Sequence, residues 1–372
     1  MSVKSFESPD DLVMEDFIRV ADRVYADDPF YTPTPSKQQA ACFDHSKNRF
    51  YEYGVSRQFV AYRDGEPVAR CSAGINPKMD REGERVGTIG FLETINQRQV
   101  FNELLESALD WLHAAGVKAV YGPMNFSIWQ GYRCKTEGFD MEPYLGEPYN
   151  RPWYGELFEN YGFTVAGRWH SFRINLREGS EALAIKQKKF ESRWERAKGA
   201  GYEFHLATGP SDKDPVLREV YELVMESFSR FPVFHPISWE EFRDIYGNLG
   251  KLISRNQLVL PRKQGELFGF LIQHWDWARL LRRCDGKPGL FTALQLKFGP
   301  RPEAWIVSAG GISPKQKGLT GGALAHISLK EALAQGAKEL IVSLSSEKNL
   351  SNAYVIGLDA RKTTYALYQT RL

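Results

Sequence analysis

At 372 residues, 42% of them apolar, the chain can hold two or three domains with sizeable cores, which excludes wholesale disorder. Its 48 basic and 46 acidic side chains leave a net charge of +2, too balanced for the clustered basic face of a nucleic-acid binder. No apolar run approaches the roughly 18 residues that cross a bilayer, and the opening MSVKSFESPDD has no apolar signal core, so a cytoplasmic protein without membrane contact is expected.

The first clear element is FVAYRDGEPVARCSAGI (59–75), two β-rich runs around an Asp64-Gly65 turn, which reads as a hairpin. GTIGFLETINQRQVFNELL follows, with no glycine between Gly90 and the helix. In that helix Phe101, Leu104, Leu105, Ala108, Trp111 and Leu112 form an apolar stripe, and Gly116 supplies a left-handed stop before the strand KAVYG. The region 122–154 is rich in Trp, Tyr, Phe, Pro and Gly and poor in helical pattern. It reads as an interdomain loop or as the wall of a pocket for an acceptor.

The stretch 177–201 reads as a charged helix ending at Gly199 and Gly201. Its Lys186, Lys188, Lys189, Arg193, Arg196 and Lys198 admit RNA or phosphate contact, but Glu191 and Glu195 interleave with them and favour a solvated connecting helix. Then the first pattern returns. LVLPRKQGELFGFLIQHW (258–275) repeats the hairpin, and HISLKEALAQGAKELIVSLSS repeats the helix, capping glycine (Gly336), lysine and strand. Two similar units are expected, over 1–176 and 202–372, joined by 177–201.

The units differ between strand and helix. The second carries SAGGISPKQKGLTGGAL (308–324), with five glycines. The amides of Lys317, Gly318, Leu319, Thr320, Gly321, Gly322 and Ala323 read either as a phosphate cradle at a helix N-terminus or as an ordinary turn with Thr320 as N-cap. The loop is neither a Walker loop nor a dinucleotide fingerprint. The cysteines Cys42, Cys71, Cys134 and Cys284 form no C-x-x-C pair, and the seven histidines show no H-E-x-x-H spacing, so neither a disulfide framework nor a metal is expected.

Strand, GISPKQKGLTGGAL, helix, capping glycine and strand together resemble the acyl-CoA segment of GNAT N-acetyltransferases. That family's loop reads Arg/Gln-x-x-Gly-x-Gly/Ala. Here Lys317 takes the first place, Thr320 the first glycine and Gly322 the last, so two key positions depart from the pattern. YNRPWYGELFENYGF (149–163) resembles the GNAT ending N-x-x-A-x-x-L-Y-E-x-x-G-F through Asn150, Leu157, Phe158, Glu159, Gly162 and Phe163, and ARKTTYALYQTRL resembles its closing strands.

The resemblance implies an α/β fold of two tandem GNAT-like domains, each a mixed, mostly antiparallel twisted sheet flanked by helices. The first would lack the glycine cofactor loop and the second would hold acetyl-CoA or another acyl-CoA as cosubstrate. It also implies direct acyl transfer to a small amine or amino-acid-like acceptor. Gly311 or Ile312 would offer a backbone N–H to the thioester carbonyl, Asn349 or Asn352 would bond the pantetheine amides, and Tyr354 would be the general acid. His274, Asp276 and Glu93 are the candidate bases. Two other readings stay open: a non-catalytic ligand-binding protein on the same scaffold, and an aminoacyl-tRNA-dependent peptidyl transferase, against which the modest charge argues.

Overall fold

Each hairpin turns through two residues with positive φ: 54° and 82° at Asp64 and Gly65, 52° and 83° at Gln264 and Gly265. Such a turn matches the right-handed twist of its strands, and Gly takes its second position without a Cβ penalty. The computed structural model describes residues 1–207, 215–229, 233–247, 258–284, 289–313, 315–316 and 320–372.

The first half contains β1 (Ser2–Phe6), α1 (Val13–Val24), α2 (Ser36–Ala41), β2 (Val55–Arg63), β3 (Glu66–Ile75), β4 (Arg85–Thr94), α3 (Arg98–Ala114), β5 (Val117–Gly122), β6 (Cys134–Glu137), α4 (Tyr154–Tyr161) and β7 (Thr164–Asn175). Helix α5 (Glu181–Gly199) follows. The second half contains β8 (Tyr202–Ala207), α6 (Pro215–Ser227), α7 (Trp239–Tyr246), β9 (Leu258–Lys263), β10 (Glu266–Leu267), β11 (Gly269–Trp275), α8 (Ala278–Arg282), α9 (Leu290–Phe298), β12 (Ala304–Ile312), α10 (Thr320–Ala334), β13 (Glu339–Ser346), a 3-10 turn (Leu350–Tyr354) and β14 (Ala360–Arg371).

Among the described residues all 14 strands form one sheet, in the order β1-β2-β3-β4-β5-β14-β7-β13-β12-β11-β9-β10, with β6 on β14 and β8 on β9. Pairing is antiparallel except at β4–β5 and β12–β13, each of which is joined through a helix. The repeat seen in the sequence is therefore a repeat of topology: antiparallel strands, a crossover helix, then a parallel strand. The expected α/β fold of two tandem, mostly antiparallel units is the fold found.

The two units share their closing strands. β14 lies between β5 and β7, and β7 lies between β13 and β14. Each unit's last strand is thus hydrogen-bonded inside the other unit's sheet.

Helix α3 buries Phe101, Leu104, Leu105, Ala108 and Leu112 in the first core, with Trp111 at its edge. Each Phe or Leu among them contributes about 1.5–3 kcal/mol on burial. Helix α10 is apolar nearly all round because it is covered twice, by the sheet and by α5. Trp194 on α5 stacks on His326 of α10 with ring centroids 5.0 Å apart.

Candidate functional site

In the second half, β12 and β13 pair only over Ala304–Val307 with Glu339–Val342. Ser308 falls in a bulge, and from Ala309 to Ile312 β12 pairs with β11 alone. Ser343 Oγ marks the parting, 3.0 Å from the Val307 carbonyl and 3.2 Å from that of Ser308. Just beyond it β13 bulges at Leu344, whose φ is 52° and whose N–H bonds Ser171 Oγ at 3.0 Å. A strand edge left without a partner presents N–H and C=O groups to whatever enters the gap.

The gap opens into a cavity of about 710 Å³. Its floor is Ser308, Ala309, Gly310, Gly311 and Ile312. Gly321 and Leu324 of α10 line it, with Asn349 and Tyr354 of the 3-10 turn. An apolar arm runs between Leu217, Val220 and Val224 of α6, Phe242 of α7, and Leu258 and Phe270 of the sheet.

The third wall comes from the first half. Ile128, Trp129, Tyr132 and Arg133 reach across into the cavity, and Trp129 Nε1 donates to the His235 carbonyl at 3.0 Å. The same loop closes the corresponding gap in its own unit. Met124 N donates to the Ile89 carbonyl at 2.7 Å, and Phe91 N to Asn125 Oδ1 at 2.7 Å. A Cβ built on Gly90 would stand 2.2 Å from the Met124 carbonyl oxygen.

No family model matches the chain. It is 24% identical over 323 residues to the bacterial ceramide synthase of Caulobacter vibrioides, spanning 86% of this chain and 80% of that protein. It is 30% identical over 162 residues to protein YghO of Escherichia coli, spanning 43% of this chain and 41% of that one. Among solved structures it superposes on a tandem GNAT protein from the clavulanic acid biosynthesis pathway with a TM-score of 0.54, at 12% identity, over 100% of this chain and 98% of that one. It also superposes on the GCN5-related glucosamine N-acetyltransferase region of a fungal multi-domain β-N-acetylglucosaminidase (TM-score 0.55, 12% identity, 99% of this chain and 38% of that one). The chain has the tandem GNAT fold. It spans about two fifths of the length of YghO and of the fungal enzyme.

The start of α10 is where the sequence resemblance expects an acyl-CoA, and several of its residues suit phosphate groups. Thr320 is buried and its hydroxyl has no hydrogen-bond partner among the described residues. A Cβ on Gly321 would stand 2.7 Å from the Tyr354 hydroxyl, so only glycine keeps that space open. Lys186, Lys189 and Arg193 share one face of α5 and make no ion pair among the described residues. Lys186 Nζ donates to the Ala353 carbonyl at 3.3 Å, and burial, then Lys189 and Arg193, push its pKa down. A helix N-terminus with Arg193 against its first turn suits phosphate groups, and Lys186 and Lys189 lie on the same face of α5. Lys317, Gly318 and Leu319 lie outside the described residues.

Gly322 and Ala323 are buried in α10. Gly322 faces α5: its Cβ would stand 2.2 Å from Arg193 Cδ. Asn349 caps the 3-10 turn by accepting from Ser351 N at 2.9 Å. Asn352 Nδ2 donates to the Ser346 and Glu347 carbonyls at 2.9 and 3.1 Å, and Oδ1 is buried without a partner among the described residues.

The candidate bases lie elsewhere. Asp276 Oδ1 accepts from Leu145 N at 2.9 Å and Ala278 N at 3.1 Å; burial pushes its pKa up, and these two bonds hold it back. His274 Nδ1 is 2.9 Å from the Trp275 carbonyl, and burial pushes its pKa down. Glu93 accepts from Tyr154 at 2.6 Å in the first half, its pKa raised by burial and lowered by Arg70. None of the three lines the cavity.

Three features escaped the sequence reading: the Ser308–Gly310 floor, the approach of Arg193 to α10, and Arg133. A basic helix residue 115 positions before the loop (308 − 193) carries no local signal that the two will meet. Among the described residues no group of three or more His, Cys, Asp or Glu is placed to hold a metal, and no helix is long and apolar enough to cross a membrane.

Proposed function

We propose that the protein is an acyl-CoA-dependent N-acyltransferase acting on a long-chain amine. One observation carries this reading: the β12–β13 gap, the start of α10 and Tyr354 all open into the same cavity, whose far arm is apolar. Its volume lies within the roughly 300–1,000 Å³ of small-ligand sites. An acetyl group and a small amine would leave that arm empty, whereas an alkyl chain there gains about 0.8 kcal/mol per buried CH₂. The name of the Caulobacter relative, a ceramide synthase, supports the same class, since ceramide is the N-acyl derivative of a long-chain amino alcohol.

In this reading Lys186, Lys189, Arg193 and the amides at Thr320 and Gly321 hold the phosphates. The free edge of β12 orients the thioester and offers its carbonyl a backbone N–H from Ser308–Ile312, a preorganised donor for the oxyanion. The amine nitrogen attacks the carbonyl carbon, a C–N bond forms and the C–S bond breaks. The departing thiolate takes the proton of Tyr354 Oη, which has no hydrogen-bond partner of its own among the described residues. No Asp, Glu or His lines the described cavity. The ammonium proton therefore passes through water and restores the tyrosine.

The test is incubation of the purified protein with acyl-CoAs from acetyl to stearoyl and with short- and long-chain amines, scored by free CoA thiol and by amide mass. Amide formation that rises with the chain length of either partner is expected. Transfer confined to acetyl-CoA and small amines would restrict the enzyme to acetylation. No amide with any pair, together with no acyl-CoA binding, would leave a non-catalytic scaffold.

A further inference from the structure

Of the residues lining the described cavity, Arg133 alone is charged. Its guanidinium carbon lies 4.0 Å from the Tyr132 ring centroid and 4.7 Å from that of Trp169, so the group packs into the corner formed by two rings that meet edge to face, 5.3 Å apart. Nε and Nη1 are buried without a hydrogen-bond partner, and no ion pair reaches the side chain among the described residues. The carboxylates nearest in sequence are spoken for. Two residues on, buried Lys135 has a counter-ion, Glu147, at 3.1 Å. Glu147 also accepts from Tyr365 at 2.7 Å and from Tyr144 N at 3.1 Å. The fold thus gives buried Lys135 a counter-ion and leaves half-buried Arg133 without one among the described residues.

A guanidinium does not shed its proton in proteins, and a buried charge without a partner is costly. Cation–π contacts recover only part of that cost. Burial pushes the Arg133 pKa down, the direction expected where no counter-ion is present. The backbone of Arg133 is itself in the left-handed region, with φ at 70°, and its N–H bonds the Pro123 carbonyl at 2.8 Å. The side chain is therefore held in place by its own loop rather than placed there by a partner.

We propose that Arg133 binds an oxyanion, carboxylate or phosphate, carried by the acceptor close to its amine. The substrate would then be an amphiphile with an anionic head at Arg133 and an alkyl tail along Leu217, Val224 and Phe270. This rests on the long-chain amine reading above and narrows it: a plain amino alcohol would leave the guanidinium unmatched. Arginine is suited to this task because its planar donors fit the oxygens of a carboxylate or phosphate.

The test measures binding without acyl-CoA, so it is independent of whether transfer occurs. Three probes share one tail: α-aminotetradecanoate, the corresponding amino alcohol, and its O-phosphate. Calorimetry on the intact protein is expected to show the carboxylate or the phosphate bound at least about tenfold more tightly than the amino alcohol. The stronger of the two anions identifies the source. In Arg133→Met the preference is expected to collapse to within about twofold while amino-alcohol affinity persists, which also shows that the variant is folded. Arg133→Lys is expected to keep part of the preference. Equal binding of all three probes by the wild-type protein overturns the proposal, whatever the variants do, and so does a preference that survives in Arg133→Met. If no amide forms with any acyl-CoA but the preference is seen, the transfer reading fails and the oxyanion site stands.

Discussion

Met124 N donates to the Ile89 carbonyl at 2.7 Å, which lays the loop after β5 across the gap that the second half leaves open. The two halves share a topology, and one has filled its groove with its own backbone. Gly90 makes this possible, since a Cβ there would stand 2.2 Å from the Met124 carbonyl oxygen and 2.7 Å from Asn125 Cα. Both are backbone atoms and cannot swing aside. Gly90→Ala is expected to cost about 1–3 kcal/mol of stability, read as a fall in Tm. The same loop carries Trp129 and Arg133 into the cavity. In the proposed reading, where this loop lines the acceptor side, the variant should also raise the KM for the amine while leaving acyl-CoA affinity within about twofold.

Gly322 and Arg193 form a second close approach, between α10 and α5. Gly322→Ala places a methyl where Arg193 Cδ now lies. It is expected to lower Tm by an amount corresponding to about 1–3 kcal/mol and to weaken acyl-CoA binding, because Arg193 must leave the start of α10. Adding Arg193→Ala should recover the stability and not the affinity. Recovery of both in the double variant would mean that Arg193 contacts only protein.

Tyr354 stands at the junction of α10 and the 3-10 turn, its ring 5.5 Å from that of Phe190. Removal of a general acid typically lowers the chemical rate by about 10²–10⁴. Tyr354→Phe keeps the ring packing and is expected to lower kcat roughly a hundredfold or more, with acyl-CoA Kd little changed. A fall in binding with unchanged kcat would assign the residue to packing.

The architecture was legible because each unit is written locally. A two-residue turn, an apolar stripe at helical spacing and a stop glycine are decided by neighbours in sequence, and each occurs twice. The strand exchange was not legible, because β7 and β14 are joined to their neighbours by hydrogen bonds that any β-rich run can make. The glycines of the second loop pointed to the start of α10, but they are divided in use: Gly321 faces Tyr354 and the cavity, whereas Gly322 receives Arg193. His274 and Asp276 sit at a strand end, where polar groups are often functional, yet backbone groups occupy both. Arg133 gave no signal at all, since an arginine in an aromatic loop looks the same whether or not a carboxylate awaits it.

His235 ties the halves together and gives stability a pH dependence. It is fully buried, with Asn76 Nδ2 3.0 Å from Nε2 and the Pro236 carbonyl 3.2 Å from Nδ1. The amide N–H needs Nε2 as acceptor and the carbonyl needs Nδ1–H as donor, so the ring is neutral. Burial is the main reason its pKa falls to about 4, with Lys78 and Arg81 adding to the shift. The unfolded chain binds this proton near pH 6.5 and the folded chain does not. The contribution is therefore fully present above about pH 6.5 and is lost as the pH falls toward 4, amounting to about 3 kcal/mol across that window. Tm should drop over this range in the wild-type protein, and the His235-linked part of the drop should vanish in His235→Gln. A Tm profile unaltered by the substitution would place the pH sensitivity elsewhere.

The length of the apolar arm sets the last prediction. Val224 lies on α6 facing the cavity, between the sheet and Phe242. Tryptophan at this position fills space that an alkyl tail would occupy without touching Tyr354, Arg133 or the start of α10. In a mixture of amines of graded chain length, Val224→Trp should shift the preferred acceptor to a shorter chain, each excluded methylene weakening binding by about 0.8 kcal/mol, or about fourfold. Rates with the shortest amines should stay unchanged, because the reacting atoms meet at the other end of the cavity. If the variant instead shortens the preferred acyl group and leaves the amine profile alone, the arm belongs to the donor.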